Sequence, residues 1–165
     1  MGIANSSHGI SEEDLKKESF PETSHNDLQD IAKSTPLELS LGDWRRILTP
    51  HQFHVTRLKG TERAFTSELN SVKDSGIFSC VNCDHDLFSS KTKFNSGTGW
   101  PSFYAPLNQT SSVGTDTDYN IGMARTEVHC ARCGSHLGHV FNDGPQPTGQ
   151  RYCINGVSLK FNSEK

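Results

Sequence analysis

The sequence predicts an α+β fold, mainly β: an antiparallel sheet or open barrel-like domain, opened by short N-terminal helices and clamped by a structural metal. Three observations carry this expectation. Two helix starts lie between Ser40 and Gly60. Beyond Ser75-Gly76 come short apolar runs separated by Gly, Pro, Asn and Asp, a strand-and-turn pattern. Two Cys-x-x-Cys pairs, Cys80/Cys83 and Cys130/Cys133, lie far apart in the chain. Together they offer four soft ligands to one ion.

Residues 1–38 are rich in Ser, Asn, Glu, Asp and Lys, with isolated apolar residues such as Leu15 and Phe20. They read as a disordered tail, which leaves 39–165 as the domain. Ser40 with Asp43 forms a capping-box pattern, and Leu41, Trp44, Ile47 and Leu48 follow at helical spacing. Thr49-Pro50 repeats the start signal with Gln52 three residues after the cap, and Gly60 marks the far end. The strand-like runs are Gly76 to Cys80, Leu87-Phe88, Gly122 to His129, Leu137 to Phe141 and Arg151 to Phe161. There is no internal repeat beyond the two cysteine knuckles.

At 165 residues the chain suits one domain with its own core. A net charge of -3 without a Lys/Arg cluster argues against nucleic acid as a partner. No apolar run approaches the roughly 20 residues of a membrane span, so no membrane association is expected. Glu12, Glu13, Asp14 and Glu18 make the N-terminus too acidic for a typical mitochondrial presequence. The expectation is a cytoplasmic monomer, with mitochondrion and plastid open.

The cysteine count organises the chemistry. Four of the five cysteines are paired, and Cys153 stands alone. Paired Cys-x-x-Cys turns without a signal peptide point to metal thiolates in a reducing compartment. The intervening segment, 84–129, is longer than in a compact zinc ribbon, so one Zn2+ would join two distant parts of the fold. Four protein ligands leave no open position, which makes the ion structural. Redox dithiols are the alternative, but their usual βαβ context is missing. His136 and His139 as finger ligands are disfavoured by a two-residue gap. A deaminase is disfavoured because its His-x-Glu and Pro-Cys-x-x-Cys signature is absent: Ser79, not proline, precedes Cys80.

In Arg151-Tyr152-Cys153-Ile154-Asn155, strand alternation puts Arg151, Cys153 and Asn155 on one face. A guanidinium beside an accessible cysteine favours the thiolate, the nucleophilic form. The alternative is an inert buried thiol with Arg151 merely reaching the surface. His136 and His139 offer a general acid. Their spacing puts them on opposite faces of a regular strand, unless a bulge near Gly138 brings them together. Gly97-Thr98-Gly99-Trp100 combines a close-approach loop with an aromatic face suited to a thioether or methyl group. Trp100 as a packing residue under a turn is the plainer alternative.

Taken together, the two Cys-x-x-Cys pairs, SGTGWPSF (Ser96 to Phe103), HCARCGSHLGHVFNDGP (His129 to Pro145) and RYCIN (Arg151 to Asn155) resemble the B-type methionine sulfoxide reductases in order and content. The resemblance spans about residues 41–163. It implies a β-rich fold with a structural zinc held by Cys80, Cys83, Cys130 and Cys133. It also implies reduction of methionine-R-sulfoxide, usually within oxidised proteins and possibly free, as protein repair under oxidative stress. On matching positions, Cys153 is the nucleophile. His136, His139 and Asn155 bind and protonate the departing oxygen, while Arg151 and Asp143 tune the site. Trp100 cradles the methyl group, and Phe141 completes the apolar wall. The first half-reaction leaves a sulfenic acid on Cys153.

One departure matters. Many members carry a resolving cysteine in an SGCGW loop, where this sequence has Thr98. With four cysteines on zinc, a one-cysteine variant is expected, regenerated by thioredoxin or by glutathione with glutaredoxin. The competing expectations are a zinc-stabilised binding module and a peroxide sensor in which Cys153 oxidises without consuming a sulfoxide.

Overall fold

The computed structural model describes residues 20, 22–119 and 124–164. Among the described residues three α-helices come first: α1 (His25–Ser34), α2 (Leu41–Ile47) and α3 (Pro50–Arg57). Both expected capping boxes form. Ser40 accepts from the Asp43 N–H and Thr49 from the Gln52 N–H, with the reciprocal side-chain bonds in place. These satisfy backbone donors that a helix start otherwise leaves unpaired.

Helix α1 corrects the reading of a disordered tail to residue 38. Ser24 caps it by accepting from Asp27 N–H. Leu28 and Ala32, one helical turn apart, are buried against Leu39, Trp44 and Phe53. Arg46 reaches back to the carbonyls of Phe20 and Thr23, and Asp43 accepts from Phe20 N–H. So few apolar residues in a polar stretch give faint periodicity; burial against α2 and α3 holds the helix. Residues 1–19 and 21 lie outside the described residues.

Nine strands follow: β1 (Gly76–Cys80), β2 (Asp86–Ser89), β3 (Lys93–Phe94), β4 (Ser102–Phe103), β5 (Val113–Asp118), β6 (Arg125–Cys130), β7 (His136–Phe141), β8 (Arg151–Ile154) and β9 (Leu159–Ser163). They make two open antiparallel sheets, ordered β2-β1-β9 and β3-β4-β8-β7-β6-β5. The mainly β, open-sheet expectation holds. Phe78, Phe88, Phe103, Leu137 and Ile154 are fully buried in one cluster. Phe88 and Phe103 stack at 4.4 Å between centroids, with Phe78 edge-on to Phe103 at 5.1 Å. Burying side chains of this size is the main stabilising term, roughly 1.5–3 kcal/mol each.

The run from Arg151 to Phe161 is not one strand. A 3-10 turn at Gly156–Ser158 divides it, and the two halves join different sheets. The cause is distant in sequence: the buried Glu62 carboxylate accepts from the N–H groups of Gly156 and Val157. Strand β5 was not expected, because Val113 to Asp118 is polar and lies at a sheet edge, with only Val113 fully buried. Among the described residues no helix is long and apolar enough to cross a membrane.

The β6–β7 pairing carries the feature that builds the site. Gly138 faces Val128 and His136 faces His129, so β7 uses one more residue, Leu137, than β6 does there. This is a β-bulge. It turns His136 and His139 to the same side, with ring centroids 5.6 Å apart. Gly138 is required for a second reason: a Cβ there would sit 2.0 Å from the Cys153 carbonyl oxygen on β8.

Candidate active site

The four paired cysteines converge. Cys80 and Cys133 sulfurs lie 3.6 Å apart, those of Cys83 and Cys130 3.7 Å apart, and all four are within 4.8 Å of one another and buried. Ligands about 2.3 Å from a tetrahedral zinc stand about 3.8 Å from each other, so the donor set fits that ion. Each knuckle is built alike. The residue after the second cysteine is left-handed, Asp84 at φ 67° and Gly134 at φ 80°, and its N–H bonds to the carbonyl of the first cysteine at 2.9 Å. Hydrogen bonds from Cys130, Cys80 and Cys83 favour the Cys133 thiolate, aided by the charge of Arg57; burial pushes Cys80 up. Arg57 also donates to the Cys133 carbonyl at 3.1 Å while stacking on Trp44 at 4.8 Å. Helix α3 is thereby tied to the knuckle.

Cys153 lies elsewhere, part-exposed on β8 between buried Tyr152 and Ile154, as the alternation predicted. It opens into a cavity of about 320 Å³ lined also by Thr98, Trp100, His139, Phe141, Arg151 and Asn155. The inert buried thiol is therefore not what the fold provides. The loop before β4 supplies Thr98, whose hydroxyl is 3.7 Å from the Cys153 sulfur. It also supplies Trp100, whose indole N–H donates to the Glu62 carbonyl at 3.1 Å. That bond locks the ring into the cavity wall.

Two histidines approach from β7, each held by a carboxylate. His136 Nδ1 donates to Glu127 Oε2 at 2.7 Å, and His139 Nε2 donates to Asp118 Oδ2 at 3.0 Å. The opposite ring nitrogens are then the ones available for proton exchange. Burial alone would raise the Glu127 carboxyl. Hydrogen bonds from His129 and His136 and the charges of His136 and Lys59 outweigh it and hold Glu127 well below the usual range. Burial lowers His139, with Arg125 and His136 adding to the effect against the hydrogen bond to Asp118. His139 is the one that lines the Cys153 cavity; His136, 3% exposed, sits behind it.

Two further residues of the expected site are held by partners in the scaffold. Asn155 has both ends of its amide engaged in the scaffold: Oδ1 accepts from Glu62 N–H at 3.0 Å and Nδ2 donates to the Leu137 carbonyl at 3.0 Å. It pins the 62 region to the bulge. Arg151 makes a two-pronged pair with Asp143, at 2.9 and 3.0 Å, while its guanidinium lies 4.5 Å from the Phe141 ring centroid. The guanidinium holds the exposed Asp143 carboxyl below its usual range. Its field at Cys153 is thus shared with the Asp143 carboxylate, the residue named beside it in the family resemblance.

Sequence reasoning missed Glu62, Asp118, Arg125 and Glu127. A weak signal marked Arg125 and Glu127, charged residues at alternate positions of an expected strand; Glu62, in a loop, and Asp118, on the polar edge strand, carried none, since their roles come from hydrogen bonds to distant parts of the chain.

A family model described as the SelR domain matches residues 48–163. The chain is 57% identical over 129 residues to the peptide methionine sulfoxide reductase MsrB of Methanosarcina mazei, covering 78% of this chain and 91% of that protein. It is 56% identical over 125 residues to the protein of that name in Pseudomonas putida, covering 76% and 93%. With the chloroplastic peptide methionine sulfoxide reductase B1 of Arabidopsis thaliana it shares 51% over 139 residues, 84% of this chain and 68% of the relative. A SelR domain across most of the chain, relatives above half identity and the cavity around Cys153 agree: the chain belongs to the B-type methionine sulfoxide reductase family.

Proposed function

We propose that this protein reduces the R epimer of methionine sulfoxide, chiefly within oxidised polypeptides, with Cys153 as nucleophile and an external thiol as reductant. One observation carries the reading. Cys153 is part-exposed in a cavity that puts apolar walls, Trp100 and Phe141, beside a carboxylate-held histidine, His139. A sulfoxide methyl group needs the first, and its departing oxygen needs the second.

The Cys153 thiolate attacks the sulfoxide sulfur while the oxygen accepts a proton, for which His139 is the placed donor. The S–O bond breaks as the protonated oxygen passes to the Cys153 sulfur, forming a sulfenic acid, and the pair of the transient S–S bond stays with the methionine sulfur, which leaves as the thioether. An incoming thiol then attacks that sulfur, forming a mixed disulfide and releasing water; a second thiol frees Cys153. Thr98 supplies no sulfur to intervene, and Cys80, Cys83, Cys130 and Cys133 are placed to hold a structural zinc. Thioredoxin, or glutathione with glutaredoxin, has the required chemistry, and a reducing compartment such as the cytoplasm suits free thiols. His136 and Glu127 support His139 from behind, and Asn155, Arg151 and Asp143 position the strand and wall.

The test is turnover of separated R and S epimers of a methionine sulfoxide peptide with dithiothreitol, for wild type and Cys153→Ser. Consumption of only the R epimer is expected, reduced by roughly a thousandfold or more in the variant with zinc still bound. Folded, zinc-loaded wild type that turns over neither epimer ends this reading.

A further inference from the structure

Beyond the loop that carries Thr98 and Trp100 lies a second cavity, of about 470 Å³, in which Phe65, Val72 and Phe94 adjoin Lys73, Lys93 and Asn95. No acidic side chain lines it among the described residues; Glu68 and Asp74, close in sequence, are not part of its lining. Burial, with the charge of Lys73, lowers the Lys93 ammonium, and its Nζ donates to the Asn70 carbonyl at 2.8 Å. Two cations at one cavity repel each other, and an anion between them relieves that repulsion.

Phe65 joins this cavity to the cysteine site. It is 71% exposed, unusual for a large aromatic, and its backbone is left-handed at φ 67°. A non-glycine residue of this bulk adopts that conformation only where its surroundings hold it. The holding contact is on the substrate loop: Phe65 N–H donates to the Gly99 carbonyl at 2.7 Å, and its ring lies where a Cβ on Gly99 would be, 2.7 Å away. Gly99 sits between Thr98 and Trp100, both of which line the Cys153 cavity.

We infer that this second cavity is a subsite for the polypeptide on one side of the oxidised methionine, with Phe65 as its inner lip and Lys73 and Lys93 selecting an acidic side chain there. The inference rests on the proposed reduction of peptide methionine sulfoxide. An extended chain leaving the Cys153 cavity passes over Gly99 and against the exposed Phe65 ring, and its next side chains meet the lysines. Free methionine sulfoxide has nothing to place in this cavity.

The experiment compares kcat/KM for three R-sulfoxide substrates with dithiothreitol: an acidic peptide with Asp on both sides of the methionine, the same peptide with Asn, and free methionine sulfoxide. Wild type is expected to prefer acidic over Asn peptide, with the preference shrinking as ionic strength rises. In Lys73→Glu, an exposed position, the acidic-to-Asn ratio falls about five- to tenfold. In Phe65→Ala the ratio of Asn peptide to free substrate falls, through a higher KM. A wild type without preference for the acidic peptide, or variants whose ratios stay within twofold of wild type, overturn the subsite while free-substrate turnover upholds the reductase. No turnover of any substrate overturns both.

Discussion

The Thr98 hydroxyl stands 3.7 Å from the Cys153 sulfur, at the position where the family resemblance implied a resolving cysteine. A disulfide brings two sulfurs to about 2.05 Å, a small shift from that separation. Thr98→Cys is therefore expected to form an internal disulfide with Cys153 after one turnover with sulfoxide. Intact-mass analysis reads it as loss of two hydrogens, whereas the wild type holds one added oxygen. A variant that still accumulates sulfenic acid shows that the loop cannot close.

Glu127 is buried and ionised against His136. Glu127→Gln keeps the shape and removes the charge, so His136, which packs against His139, loses its anionic partner. A fall in kcat of roughly ten- to a hundredfold is expected with zinc content unchanged, since positioned acid–base groups contribute on that scale. Steady-state kinetics on the R epimer checks it; full activity shows that Glu127 serves the fold alone.

Burial lowers His139 below its ordinary value. The unfolded chain, near the usual 6.5, binds a proton that the folded chain refuses. The contribution is complete above the unfolded value and is lost as pH falls through the lower folded one. Urea unfolding from pH 7.5 to 5.5 should show stability declining with acid, with a shallower decline in His139→Asn. Parallel curves assign the slope to other groups.

Four buried sulfurs within 4.8 Å of one another join turns 47 and 53 residues apart in sequence. Cys133→Ala should lower zinc content below one per chain and cost several kcal/mol, a Tm drop of roughly 10 °C or more. Calorimetry with metal analysis checks both. A variant with wild-type zinc and Tm places the ion elsewhere.

Local rules made α2 and α3 legible, because Ser40/Asp43 and Thr49-Pro50/Gln52 carry their caps within four residues. The alternation around Cys153 was legible for the same reason: strand geometry alone assigns faces. Helix α1 was not legible, since its evidence is a pair of buried residues whose partners lie further along the chain. Edge strand β5 was hidden by its polarity.

The sequence by itself determined the family, the pairing of four cysteines against one, and the nucleophile candidate, because ligand and thiol chemistry reside in residue type and spacing. Only the tertiary structure decided how the site is assembled. The Leu137 bulge turns two histidines to one side, Glu127 and Asp118 reach them across strands, and Asn155 spends its amide on Glu62 and Leu137. These are relations between backbones far apart in sequence, and they exist only once the strands pair. Gly138 belongs to both accounts: its small size is written in the chain, and the Cys153 carbonyl that demands it arrives with β8.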